Sequence, residues 1–132
     1  MQYKLTGRAI APGTVEGEAL VSKMPMSFYG GVDPKTGNVM EQGHELEGKN
    51  IKDKILVFPC GKGSTVGSYV LYGLRKYGMA PKAIVNQETE TIVATGVILA
   101  AIPCVDQVEV ANIKTGDRLR VDGDAGTVES LG

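Results

Sequence analysis

The chain has little with which to hold a metal. Its 132 residues include two cysteines and one histidine. Cys60 and Cys104 show no CxxC spacing and have no histidine beside them. A zinc or iron–sulfur site takes three or four such ligands, so this chain alone does not make one. Both thiols flank apolar runs and read as small core residues. An excess of one charge is also missing. Fourteen basic against fifteen acidic side chains leave a net charge of −1, which argues against a nucleic-acid or membrane-surface partner. There is no leader-like start and no apolar run long enough for a membrane span, so the expected location is the cytoplasm. Linkers and internal repeats are lacking too, and the length suits one domain over residues 1–132.

Glycine is what the chain has in quantity, with 18 residues implying many tight turns. The most informative cluster is Gly61-Lys62-Gly63-Ser64-Thr65-Val66-Gly67-Ser68. It follows the apolar run 55–58 and leads into a helical pattern. A glycine-rich turn there brings backbone N–H groups to the positive end of a helix, where an anion is favoured. Two hydroxyls, Ser64 and Thr65, arrive at the same place. A nucleotide P-loop does not fit, because that motif ends in Gly-Lys-Ser/Thr and here the lysine comes near the start. The plain alternative is a capped helix start with nothing bound.

The first half reads as β-structure: residues 2–10 and 17–22 alternate, with a turn at Pro12-Gly13. Residues 27–37 are too rich in glycine and proline for a regular element and read as a structured surface loop. In the second half, residues 55–58 suit a strand covered on both faces. Val66, Tyr69, Val70, Gly73, Leu74 and Tyr77 then recur at helical spacing, with Gly78 placed to end the helix. Ala83-Ile84-Val85 is the next buried strand, residues 91–101 a buried helix weakened by Gly96, and Pro103-Cys104-Val105 a third strand. Strand–helix–strand–helix–strand with short links predicts parallel strands with right-handed crossovers. Further β-structure follows at 118–121 and 127–129. Ligands of such units bind beyond the carboxyl ends of the strands. That edge collects the Ser64 turn, the loop 86–90 and Asp106, which should face one another. Glu88, Glu90 and Asp106 read first as solvated charges and helix caps, and Asn86 as a buried amide holding a neighbouring loop.

Residues 11–19 and 115–123 resemble the ends of swivelling β/β/α domains. One group of these carries a phosphohistidine at the start of the helix before an Ile-Pro-x-Val strand. Aligned on Ile102-Pro103-Cys104-Val105, that position falls near Ile92. His44 lies far away in a polar loop and reads as a surface residue, so phosphohistidine chemistry is set aside.

A second resemblance covers nearly the whole chain. Residues 13–22, 27–36, 55–71 and 115–123 resemble, in the same order, the small subunit of aconitase X enzymes. The resemblance implies a swivelling β/β/α fold and a hydro-lyase active only with a large subunit. It implies a 4Fe–4S cluster on that large subunit, acting as a Lewis acid on the departing hydroxyl, and a phosphorylated hydroxy acid as substrate. Ser64 matches the serine that serves these enzymes as proton acceptor, in alkoxide form. Gly61, Lys62, Gly63, Thr65 and Asn86 are the accompanying substrate-binding or supporting candidates, and Lys62 reads equally as an exposed turn lysine. Two alternatives stay open: a related dehydratase acting on cis-3-hydroxyproline or another hydroxy acid, and a non-catalytic binding module that reuses the swivel fold.

Overall fold

Burial on both faces is the rule for the middle of this chain, and it organises everything else. In the computed structural model, which describes residues 2–132, strand β5 (Ile55–Phe58) is buried throughout. Ile55 and Val57 point to one side and Leu56 and Phe58 to the other, as the two-residue period of a strand requires. Three further strands are β3 (Thr14–Val21), β7 (Ala83–Asn86) and β8 (Cys104–Asp106). β3, β5, β7 and β8 run parallel, side by side. The parallel unit is thus one strand wider than the sequence pattern predicts. β3 belongs to it because β3 is long enough to pair with β5 at one end and with an antiparallel neighbour at the other.

That neighbour is β9 (Arg118–Asp122), followed outward by β10 (Thr127–Ser130) and β1 (Lys4–Thr6). β2 (Arg8–Ala11) closes the far edge, antiparallel to β8. Among the described residues the sheet therefore has eight strands, in the order β1-β10-β9-β3-β5-β7-β8-β2. A separate two-stranded parallel ribbon pairs β4 (Met26–Ser27) with β6 (Gly61–Lys62).

Two helices cover one face. Helix α1 (Gly67–Lys76) links β6 to β7, and α2 (Thr91–Ala100) links β7 to β8. Their packed core includes Leu56, Phe58, Leu71, Leu74, Ile84, Val93 and Val97. The opposite face carries Ile55, Val57, Val85, Val105, Leu119, Val121 and Val128. Among the described residues no helix is long and apolar enough to cross a membrane.

Two expectations need correcting. The row of α1 read from the spacing is buried only in part: Leu74 is in the core and Val70 packs against it, but Val66, Tyr69 and Tyr77 are exposed, and Gly67, Ser68 and Leu71 are buried in their place. Tyrosine satisfied the hydrophobic spacing equally well, but the close approach to α2 selects Leu71 and the two small residues. Helix α2 is likewise buried only on the Val93, Gly96, Val97 and Ala100 side, with Ile98 and Leu99 exposed. Gly78 does end α1, with φ +74° and its N–H donated to the Arg75 carbonyl. Residues 27–37 form a loop that is anchored rather than superficial. Phe28 and Val32 are both core residues, and the Phe28 ring packs against Phe58 with centroids 5.8 Å apart.

Candidate functional site

The three loops at the carboxyl edge of the parallel strands do meet. The amides of Gln87 and Glu88, after β7, both donate to the Pro59 carbonyl after β5. Gln107, after β8, donates to the Gln87 carbonyl. Asn86 sits at the centre, fully buried. Its Nδ2 donates to the Phe58 carbonyl at 2.9 Å, and its Oδ1 accepts from Thr89 Oγ1 at 2.9 Å. Both ends of the amide are occupied, so Asn86 braces the loops.

Glu90 caps α2, its carboxylate accepting the N–H groups of Ile92 (2.8 Å) and Val93 (3.0 Å). Glu88 is an exposed loop residue, as read from the sequence. Asp106 departs from its expected role as a solvated charge or cap, being fully buried. Arg8 of β2 grips it with Nε at 2.9 Å and Nη2 at 2.8 Å, and Thr89 N–H donates to Oδ2 at 2.9 Å. A buried carboxylate needs such a counter-charge, and only the antiparallel edge strand brings Arg8 there. His44 also departs from expectation: it is buried, its Nδ1 accepts the Leu46 N–H and its Nε2 donates to the Pro25 carbonyl. It is a structural residue of the 28–50 loop.

The Ser64 turn projects from this braced platform. Gly61 is buried in β6, and Lys62, Gly63, Ser64 and Thr65 are exposed. Gly63 has φ +88°, and a Cβ there would lie 2.6 Å from Ser27 Oγ, so the turn demands glycine twice over. The helical coil begins early. Gly67 N–H donates to the Ser64 carbonyl and Ser68 N–H to the Thr65 carbonyl, so Ser64 opens the turn that leads to Val66, the residue at the N-cap of α1. Ser64 Oγ accepts the Val66 N–H at 3.2 Å. An exposed hydroxyl facing a backbone N–H, at the positive end of a helix, is placed to carry negative charge. Ser68 is different, buried one turn on and donating to the Ile92 carbonyl at 2.7 Å.

Lys62 is not a free cation. Its Nζ lies 2.8 Å from Glu41 Oε2, a partner that no sequence motif signals. Burial pushes the Glu41 carboxyl up, but the hydrogen bonds from Lys62 and from Ser27 N–H outweigh it and hold it below the ordinary value.

The donor set does not fit an iron–sulfur cluster. Among the described residues no group of three His, Cys, Asp or Glu side chains is placed to hold a metal. Cys104 is buried against Thr89, and burial pushes its thiol up to about 12. Cys60 is half-buried, its thiol raised by burial and then by Glu90 and Glu88.

Comparison with known proteins agrees with this architecture. The aconitase X swivel domain family matches residues 4–130. The phosphomevalonate dehydratase small subunit of Thermococcus kodakarensis is 58% identical over 128 residues, spanning 97% of this chain and 96% of that relative. Its counterpart in Methanocaldococcus jannaschii is 56% identical over 128 residues, spanning 97% and 98%. A crystal structure of Thermococcus kodakaraensis aconitase X in its holo-form matches with a TM-score of 0.97 at 57% identity, covering 98% of this chain and 99% of that one. Matched over residues 4–130 and sharing that fold throughout, the chain belongs to the aconitase X swivel domain family.

Proposed function

We infer that this chain is the small subunit of a phosphomevalonate dehydratase. This hydro-lyase converts (R)-5-phosphomevalonate to trans-anhydromevalonate 5-phosphate and water, in the archaeal mevalonate route to isoprenoids. The observation that carries the reading is near-full-length identity above one half to several small subunits of that name. On this reading residues 1–132 act as one swivel domain, in the cytoplasm, docked on a large subunit of aconitase type. The 4Fe–4S cluster is assigned to that large subunit, because this chain offers two thiols where such a cluster takes three or four.

Ser64 is the proposed proton acceptor. Dehydration takes a proton from one carbon and a hydroxyl from its neighbour, leaving a double bond and water. Ser64 Oγ, as the alkoxide, takes the proton and becomes a neutral hydroxyl; the C–H electron pair forms the double bond as the C–O bond breaks, and return of one proton to the departing hydroxide releases water. Support for the charged oxygen comes from the Val66 N–H and the start of α1. Thr65 adds a second exposed hydroxyl, and Gly61 and Gly63 allow the turn its shape. Lys62 has three N–H donors, so its half-exposed ammonium can meet a substrate phosphate while one donor stays on Glu41. The large subunit has to meet this face, so residues 27–37 and 61–66 become protected from hydrogen exchange when it binds. Reconstitution with the large subunit under anaerobic conditions tests the assignment. Turnover of (R)-5-phosphomevalonate, with none of cis-3-hydroxyproline, is the expected result. The opposite preference overturns the substrate, and a complex that turns over neither while holding its cluster overturns the catalytic reading.

A further inference from the structure

The turn that carries Ser64 hangs from a very short support. β4 and β6 pair over two residues each, Met26 with Gly61 and Ser27 with Lys62. A strand pair of that length has little stability of its own. Glu41 reaches both members of the second rung. Its Oε1 accepts the Ser27 N–H at 3.1 Å, and its Oε2 meets Lys62 Nζ at 2.8 Å. The glutamate is itself fixed, because its N–H and that of Met40 both donate to the Gly31 carbonyl, at 3.2 and 2.8 Å. Its side chain is only 19% exposed, against 49% for Lys62, so the bridge is anchored from the Glu41 side. Gly63 comes next, in contact with Ser27, and then Ser64.

We propose that Glu41 is a positioning residue for the dehydration, clamping the Ser27–Lys62 rung so that Ser64 is presented to the substrate in one fixed geometry. The proposal rests on the reading of Ser64 as the base. A carboxylate has two acceptor oxygens and serves both donors at once. Glutamine has one and serves only one of them, while alanine serves neither. The effect on the reaction is therefore graded, and it works chiefly through the placement of Ser64.

Two measurements test this. In the reconstituted complex, Glu41→Ala should lower kcat at least about tenfold with KM held within about threefold, as misplacing a reacting group does. Glu41→Gln should fall between alanine and wild type. In a Ser64→Ala background the added Glu41→Ala change should cost less than about twofold, because residues acting as a unit are not additive. In the full chain alone, Glu41→Ala should speed amide exchange at residues 61–66 by about tenfold or more and leave β5 and β7 unchanged. Unchanged exchange at 61–66 overturns the clamp, as does a kcat loss that multiplies in full with that of Ser64→Ala. If Ser64→Ala proves active, the base reading fails, and the exchange measurement still decides whether Glu41 holds the turn.

Discussion

Ser64 and Ser68 sit one helical turn apart, and their hydroxyls are used in opposite ways. Ser64 Oγ is exposed and accepts a single N–H, from Val66, at 3.2 Å. Replacing it with alanine returns that N–H to water, so the stability cost is about 0.5–1 kcal/mol. If it is the base, kcat falls by about three orders of magnitude, the upper part of the range for losing a general base. Ser68 is buried and donates to the Ile92 carbonyl at 2.7 Å, tying α1 to α2. Ser68→Ala removes that tie in a dry place and costs about 1–2 kcal/mol, a fall of several degrees in melting temperature for a chain of this length, on the order of 3–8 °C. Its kcat stays well above the ~10²-fold loss of a missing base. Thr65→Ala lies between the two in activity and close to Ser64→Ala in stability. The assay pairs turnover of the reconstituted complex at saturating substrate with thermal melting of the isolated chain. Retention of more than about a tenth of wild-type kcat by Ser64→Ala excludes the base. A Ser68→Ala chain that melts with wild type refutes the inter-helix bond.

Gly96 lies where α2 crosses α1, and a Cβ there would be 2.3 Å from Leu71 Cδ1 and 3.0 Å from its Cβ. Gly96→Ala therefore overpacks by about 1–3 kcal/mol, of which helix propensity returns about 1; melting at or above the wild-type temperature would show that the contact yields. Cys60 should react with a thiol reagent in the folded chain, while Cys104 stays silent until unfolding. Two thiols modified at one rate would contradict that burial. Asp117 is held below the usual carboxylate value by the hydrogen bond from Tyr3 Oη at 2.7 Å, then by the Lys114 N–H at 3.0 Å. A depressed carboxylate contributes stability above its unfolded pKa and loses it as pH falls through the folded one. Stability should thus decline below about pH 4, and Tyr3→Phe should flatten that decline in acid-side melting curves. An unchanged slope would remove Asp117 from the account.

The order of strands and helices in the second half was legible in the sequence because continuous apolar runs and short glycine-rich links leave few other arrangements. The turn that carries Ser64 was legible for the same reason, since glycines between strand and helix signal a turn, while the choice of Ser64 within it came from the family resemblance. The face of α1 was not, because tyrosine and leucine satisfy one periodicity and only the approach of Gly96 to Leu71 decides between them. Nor were the charges. Asp106 is buried against Arg8 across 98 positions of sequence, and Glu41 meets Lys62 from a different loop. Local pattern carries backbone conformation, which depends on neighbours in the chain. Electrostatic partners depend on which segments the fold brings together, and that is settled only when β2 pairs with β8 at the sheet edge and Glu41 of the 28–50 loop reaches Lys62 of β6.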